Sequence, residues 1–147
     1  MNISTRTLLC GFLLLSGCSS SEPSRYAVSG KVTMDGKPAS LVTVNFIPGD
    51  PDSTNRGSGP TDPNGVFKIG EDGKNSGLPA GEYKVSFSQT LINGKPTLAG
   101  SGGKAEEKVK TEREAVADEF RDPKTSPVTA TIGSGTNEFT FEIKSKK

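Results

Sequence analysis

Few residue types in this 147-residue chain can do chemistry, and the absent one matters most: there is no histidine. Without an imidazole, a serine or cysteine nucleophile lacks its usual general base, which removes the Ser-His and Cys-His hydrolase classes. A Ser-Lys pair is compatible with the composition, but no S-x-x-K run sits beside a strained elbow, and no enzyme is expected. The two cysteines, Cys10 and Cys18, both lie near the N-terminus. The part that folds therefore has no internal disulfide and no thiolate metal site. Oxygen ligands are the remaining metal chemistry: Asp50, Asp52 and Asp62 with Asn64 could line a Ca²⁺ site, because hard cations take clustered oxygens. The D-P-D spacing is not that of an EF-hand loop, and Asp and Asn recur in turns for local hydrogen-bonding reasons, so a turn role outweighs a metal role. Gly100-Ser101-Gly102-Gly103 lacks the strand, lysine and helix of a phosphate loop. Tyr26 and Tyr83 could form part of a glycan-binding face, but their alternation points them inward, as core. No cofactor is expected.

Cys18 is the one residue with a specific chemical context. Arg6 supplies a modest positive start, Leu8 to Leu15 form a short apolar run, and Ser16 and Gly17 are small enough for a peptidase site. The apolar run is far short of the ~20 residues a membrane-spanning helix needs. Leu15-Ser16-Gly17-Cys18 resembles the bacterial lipobox, L-[SAT]-[GA]-C. The resemblance implies a thioether from the Cys18 thiol to diacylglycerol, cleavage just before Cys18, and acylation of the new amine. At ~0.8 kcal/mol per buried methylene, two or three chains would anchor the protein stably where one would be marginal. Ser19 follows instead of aspartate, which by resemblance to enterobacterial sorting favours the outer membrane over the outer face of the inner membrane. The expected organisation is a signal peptide over 1–17, a polar linker over 18–25, and one domain over 26–147. The linker run Ser19 to Arg25 reaches at most ~25 Å, which keeps the domain close to the bilayer.

The elements around this anchor are strands. Hydrophobic residues make up 31% of the chain, with 18 Gly and 10 Pro, a mixture that favours short strands and many turns over a helical bundle. Setting Arg6 aside leaves 17 of the 18 basic residues against 17 acidic ones, so charge makes no case for nucleic acid. In Tyr26 to Met34 the residues Tyr26, Val28, Val32 and Met34 alternate with Ser29, Lys31 and Thr33, the period of a half-buried strand. Asp35-Gly36 supplies a tight turn, and Val42, Val44 and Phe46 alternate in the run that follows, so an opening hairpin is expected. Phe67 and Ile69, then Tyr83, Val85 and Phe87, point inward in two further strands, with Ser86 on the outward side. Val128, Ala130 and Ile132, then Phe139, Phe141 and Ile143, form the last two strands, expected to pair as a second hairpin across Gly133 to Asn137. Asn93 to Lys104 reads as a glycine-rich mobile stretch. Lys104 to Phe120 reads as a surface helix with Ala105, Val109, Val116 and Phe120 as its stripe and Glu106–Lys110 as an i,i+4 pair. The fold class expected is all-β: a small antiparallel β-sandwich of about seven strands with one short surface helix and an insertion over 93–121.

Three runs carry a second resemblance: V-S-G-K-V-T-M-D-G-K-P, T-D-P-N-G-V-F and L-P-A-G-E-Y-K-V, spanning about residues 26–88. They look like the carboxypeptidase regulatory-like, or transthyretin-like, β-sandwich. That resemblance implies a non-catalytic module that binds, braces or presents. The same fold includes hydroxyisourate hydrolases, whose histidines and C-terminal Y-R-G-S are missing here; this chain ends Ser145-Lys146-Lys147. Two functional classes stand: a lipid-anchored structural or interaction module contacting envelope proteins or the cell wall, and a periplasmic or surface binder of a small ligand such as a sugar or metal ion. The first is preferred because exposed aromatics are few and the acidic residues are scattered.

Overall fold

The computed structural model describes residues 22–50, 52–71, 74–98 and 111–147. In chain order they form β1 (Arg25–Tyr26), β2 (Val28–Met34), β3 (Lys37–Pro38), β4 (Thr43–Pro48), β5 (Gly57–Pro60), β6 (Val66–Ile69), β7 (Leu78–Pro79), β8 (Gly81–Ser88), β9 (Thr90–Ile92), β10 (Lys95–Thr97), β11 (Glu112–Glu114), the one-turn helix α1 (Asp118–Arg121), β12 (Thr129–Ile132) and β13 (Asn137–Ile143). The protein is a small all-β sandwich. One sheet runs β13-β2-β3, with β6 also on β2, and the other runs β12-β8-β4-β5.

The alternation seen in the sequence sorts side chains as expected. Val28, Val32, Val44, Phe46, Phe67, Ile69, Tyr83, Val85, Phe87, Ile132 and Phe141 are buried, and Phe139 packs partly buried against them. Phe46 of one sheet is the hub, with ring centroids 6.0 Å from Phe67, 6.2 Å from Tyr83, 6.1 Å from Phe139 and 6.3 Å from Phe141. Gly30 makes this packing feasible. It sits in β2 opposite Phe67 on one side and Phe139 on the other. A Cβ there would lie 2.2 Å from the Phe139 carbonyl oxygen and 2.8 Å from the Phe67 ring, so only a bare backbone lets that ring lie across the strand.

Pairing departs from expectation in two places. Asp35 (φ 51) and Gly36 (φ 78) do make the positive-φ turn, but the returning strand β3 is only two residues long. β4 lies instead in the opposite sheet, between β5 and β8. The physical cause is the crossing between β3 and β4, where Pro38 has no N–H to extend the ladder and Leu41 takes a positive φ of 55. Thr61 pins that crossing: its hydroxyl donates to the Ala39 carbonyl (2.5 Å) and accepts from the Val42 amide (2.9 Å). The last two strands are likewise not a hairpin. β12 pairs antiparallel with β8, while β13 runs parallel to β2 from Val28↔Asn137 to Met34↔Ile143, the one parallel pair among the described strands. The buried Asn137 carboxamide donates to the carbonyls of Gly133 (3.1 Å) and Gly135 (3.0 Å) and accepts from the Gly133 amide (2.9 Å), holding the connection as a bridge between sheets.

The insertion also differs. Asn93 (φ 52) and Gly94 (φ 77) form a tight turn joining β9 to β10, so the run that read as mobile contains a hairpin up to Thr97. β11 pairs on the other side of β9, giving a separate three-stranded sheet. The surface helix expected over 104–120 is therefore overturned in its described part, where only Asp118–Arg121 is helical. The cause is Glu114, whose Oε1 accepts from the amides of Gln89 (2.7 Å), Ala115 (3.1 Å) and Val116 (3.1 Å) and holds an extended backbone there. Val116 and Phe120 do reach the core. Ala105, Val109 and the Glu106–Lys110 pair lie outside the described residues.

Candidate functional site

The strand registers give the sandwich two distinct ends. The start of β2 adjoins the end of β6 and the start of β13, so residues 22–27, the loop before Leu78 and the Gly133–Thr136 connection share one end. β1 pairs with β7 there, Tyr26 opposite Leu78. Arg25 fastens the entry: its guanidinium donates to the Gly77 carbonyl (3.2 Å) and to Asn55 Oδ1 (3.1 Å), and its amide donates to Asn75 Oδ1 (2.7 Å). A shallow cavity of about 530 Å³ opens beside it, lined by Arg25, Tyr26, Lys74, Asn75 and Thr136 among others. Lys74 is paired with Glu71. The insertion sheet leaves from the far end of β8.

Cys18 and Gly100 to Gly103 lie outside the described residues. The four oxygen-ligand candidates are not brought together. Asp50 and Asp52 sit in the β4–β5 connection, at the same end as the entry, where Asp50 Oδ1 accepts from the Asp52 amide (3.0 Å). Asp62 and Asn64 sit in the β5–β6 turn at the opposite end, where Asp62 Oδ1 accepts from the amides of Asn64 (2.8 Å) and Val66 (2.9 Å). Both carboxylates thus serve their own turns, and among the described residues no three Asp, Glu, Cys or His side chains are grouped to hold a metal. Among these residues, too, no helix is long and apolar enough to cross a membrane. Tyr83 is core, and Tyr26 is half-buried against it.

The buried polar groups are mostly committed to the backbone. Ser126 donates to the Val85 carbonyl (2.5 Å), Gln89 Nε2 to the Ser40 carbonyl (2.6 Å), and the Tyr83 phenol to the Pro79 carbonyl (2.9 Å). Burial pushes the Tyr83 phenol above its ordinary value of 10.0, against a smaller opposing effect of Arg25. Hydrogen bonds from Ser145 hold the Asp35 carboxyl below 3.8. Lys146 and then Arg121 do the same for Asp118 through hydrogen bonds and charge, each nitrogen lying 3.0 Å from its Oδ1.

Among the described residues, no side-chain nitrogen or oxygen cut off from solvent lacks a hydrogen-bond partner. On the outward face of β12-β8-β4-β5, Asn45 lies opposite Ser58 on one side and Ser86 on the other. Ser86 is 3% exposed as a residue, but its hydroxyl, like the side chains of Asn45 and Ser58, makes no hydrogen bond within the described residues and stays open to solvent. With Ile47 and Arg56 they line an open hollow of about 470 Å³. Reading Ser86 simply as outward missed this, because its burial depends on which strands flank β8. Compared with known proteins, the chain matches no protein-family model, no curated protein and no solved structure.

Proposed function

We propose that this is a lipid-anchored cell-envelope protein whose transthyretin-like β-sandwich is non-catalytic and acts by contact, as a structural or interaction module. The observation that carries this function is Leu15-Ser16-Gly17-Cys18 followed by a polar run that ends where β1 begins, at Arg25. The six residues from Ser19 to Ser24 would span at most about 20 Å, so the end of the sandwich holding β1 and β7 would face the bilayer. The insertion sheet, at the other end of β8, would point away from it. The commitment of Asp50, Asp62, Thr61, Ser126 and Gln89 to backbone groups supports contact over turnover.

Replacing Cys18 with Ala tests the anchor. The variant is expected to lose metabolic labelling by a fatty acid and to leave the membrane fraction. Labelling that persists at the wild-type level would overturn the proposal.

A further inference from the structure

We propose that the outward hollow of the β12-β8-β4-β5 sheet binds an acidic sugar, specifically a uronic acid unit of a polysaccharide. The hollow is built by register, not by one loop. Arg56 precedes β5, Ser58 lies on β5, Asn45 and Ile47 on β4, and Ser86 on β8. The cross-strand row Ser58–Asn45–Ser86 therefore runs perpendicular to the strands, at about 5 Å per strand.

The chemistry of these groups selects the ligand. Hydroxyls and a carboxamide each offer both donors and acceptors, as do the ring hydroxyls of a sugar. A sulfate group alone would leave the Asn45 carbonyl unmatched, since it only accepts, and a phosphate could meet it only through a P–OH, whereas a sugar offers several hydroxyl donors. Ser86 adds a hydroxyl that lines the hollow: the residue is 3% exposed, and its oxygen, which makes no hydrogen bond within the described residues, keeps contact with solvent there. The Arg56 guanidinium adds a fork of donors suited to a carboxylate, and it has no ion-pair or side-chain hydrogen-bond partner among the described residues. Ile47 lies between Arg56 and the Lys84 strand position, offering an apolar edge to the C–H face of a ring. Lys84, opposite Ile47, lines a different hollow and turns its ammonium to the Ser126 carbonyl (3.3 Å), so Arg56 is the cation of this one. Glu82 is the one acid among the outward residues of these four strands. A volume of about 470 Å³ lies within the usual range for small-ligand sites, ~300–1,000 Å³.

This site rests on the contact role proposed above but not on the lipid anchor, so it is tested on the full-length Cys18→Ala protein. Trigalacturonic acid and its fully methyl-esterified form are titrated against ¹⁵N-labelled protein, with amide shifts as the readout. Saturable shifts are expected at Asn45, Ser58 and Ser86, with the ester binding at least tenfold more weakly. Arg56→Gln is expected to weaken the acid at least tenfold and Asn45→Ala about fivefold, each with an unchanged thermal midpoint. Equal binding of acid and ester, wild-type affinity in Arg56→Gln, shifts confined to another surface, or no saturable binding would each overturn the proposal. Should Arg56→Gln misfold, Asn45→Ala together with the ester comparison decides the question.

Discussion

Gly30→Ala isolates one steric fact. The backbone at Gly30 does not have a positive φ, so alanine can adopt it without strain. On that ground alone the substitution would stabilise the fold by about 0.4–1 kcal/mol, through a less disordered unfolded chain. Space reverses the sign. The new Cβ would lie 2.2 Å from the Phe139 carbonyl oxygen and 2.8 and 2.9 Å from two carbons of the Phe67 ring. The ring cannot simply swing aside, because it packs at 6.0 Å from Phe46 and stacks at 6.1 Å on Phe141. The oxygen belongs to the strand paired with β2, so moving it loosens the parallel ladder. Overpacking a core costs about 1–3 kcal/mol, and a backbone neighbour puts this site in the upper part of that range, leaving a net loss of about 2 kcal/mol. Gly133→Ala is the matched control: its φ is also not positive, and nothing lies within 4 Å of its would-be Cβ, so it is expected to gain stability. Urea unfolding followed by circular dichroism reads both. With a slope of about 1–2 kcal/mol/M, the midpoint of Gly30→Ala should fall by about 1–2 M while that of Gly133→Ala rises slightly. Equal midpoints for the two variants would refute the packing described around Phe67.

Two further expectations concern pH. Tyr83→Phe removes the hydrogen bond to the Pro79 carbonyl and should cost about 1 kcal/mol at neutral pH. Because folding raises the phenol's pKa, its contribution is present below pH 10.0 and fades as pH rises through the higher folded value; the variant should therefore lose less stability than wild type on the alkaline limb. A wild-type alkaline limb identical to that of Tyr83→Phe would contradict this. Asp118 shows the opposite sign: its carboxyl is more acidic in the fold, so its contribution is present above pH 3.8 and is lost as pH falls through the folded value. Thermal midpoints of Asp118→Asn measured from pH 6 to pH 2 should decline less steeply than those of wild type, and parallel curves would count against the Lys146 and Arg121 pairing.

The faces of the strands were legible in the sequence because period-two alternation is a local signal. Val44 and Phe46, or Tyr83, Val85 and Phe87, announce their inward side without reference to any partner. Partners are another matter. Nothing local tells Thr43–Pro48 to cross to the opposite sheet, or Asn137–Ile143 to lie beside Val28–Met34. The helix expectation failed because i,i+4 spacing of Val116 and Phe120 is equally met by an extended run entering a single turn. The Asn93-Gly94 turn was a readable hairpin signal that the surrounding glycines obscured. For the candidate sites, the expectation at Cys18 rests on a contiguous motif, which a local reading can propose. Arg56, Ser58, Asn45 and Ser86 come from separate strands and meet only through register, so no scan of neighbouring positions would have grouped them.

The parallel ladder between the first and last long strands sets an order of events during synthesis. Val28–Met34 is made well before Asn137–Ile143, the neighbour it needs on one side. Contacts between segments so far apart form slowly, because a long loop must close first. The sheet that carries Phe67, Phe139 and Phe141 therefore cannot be completed until Asn137–Ile143 has been made.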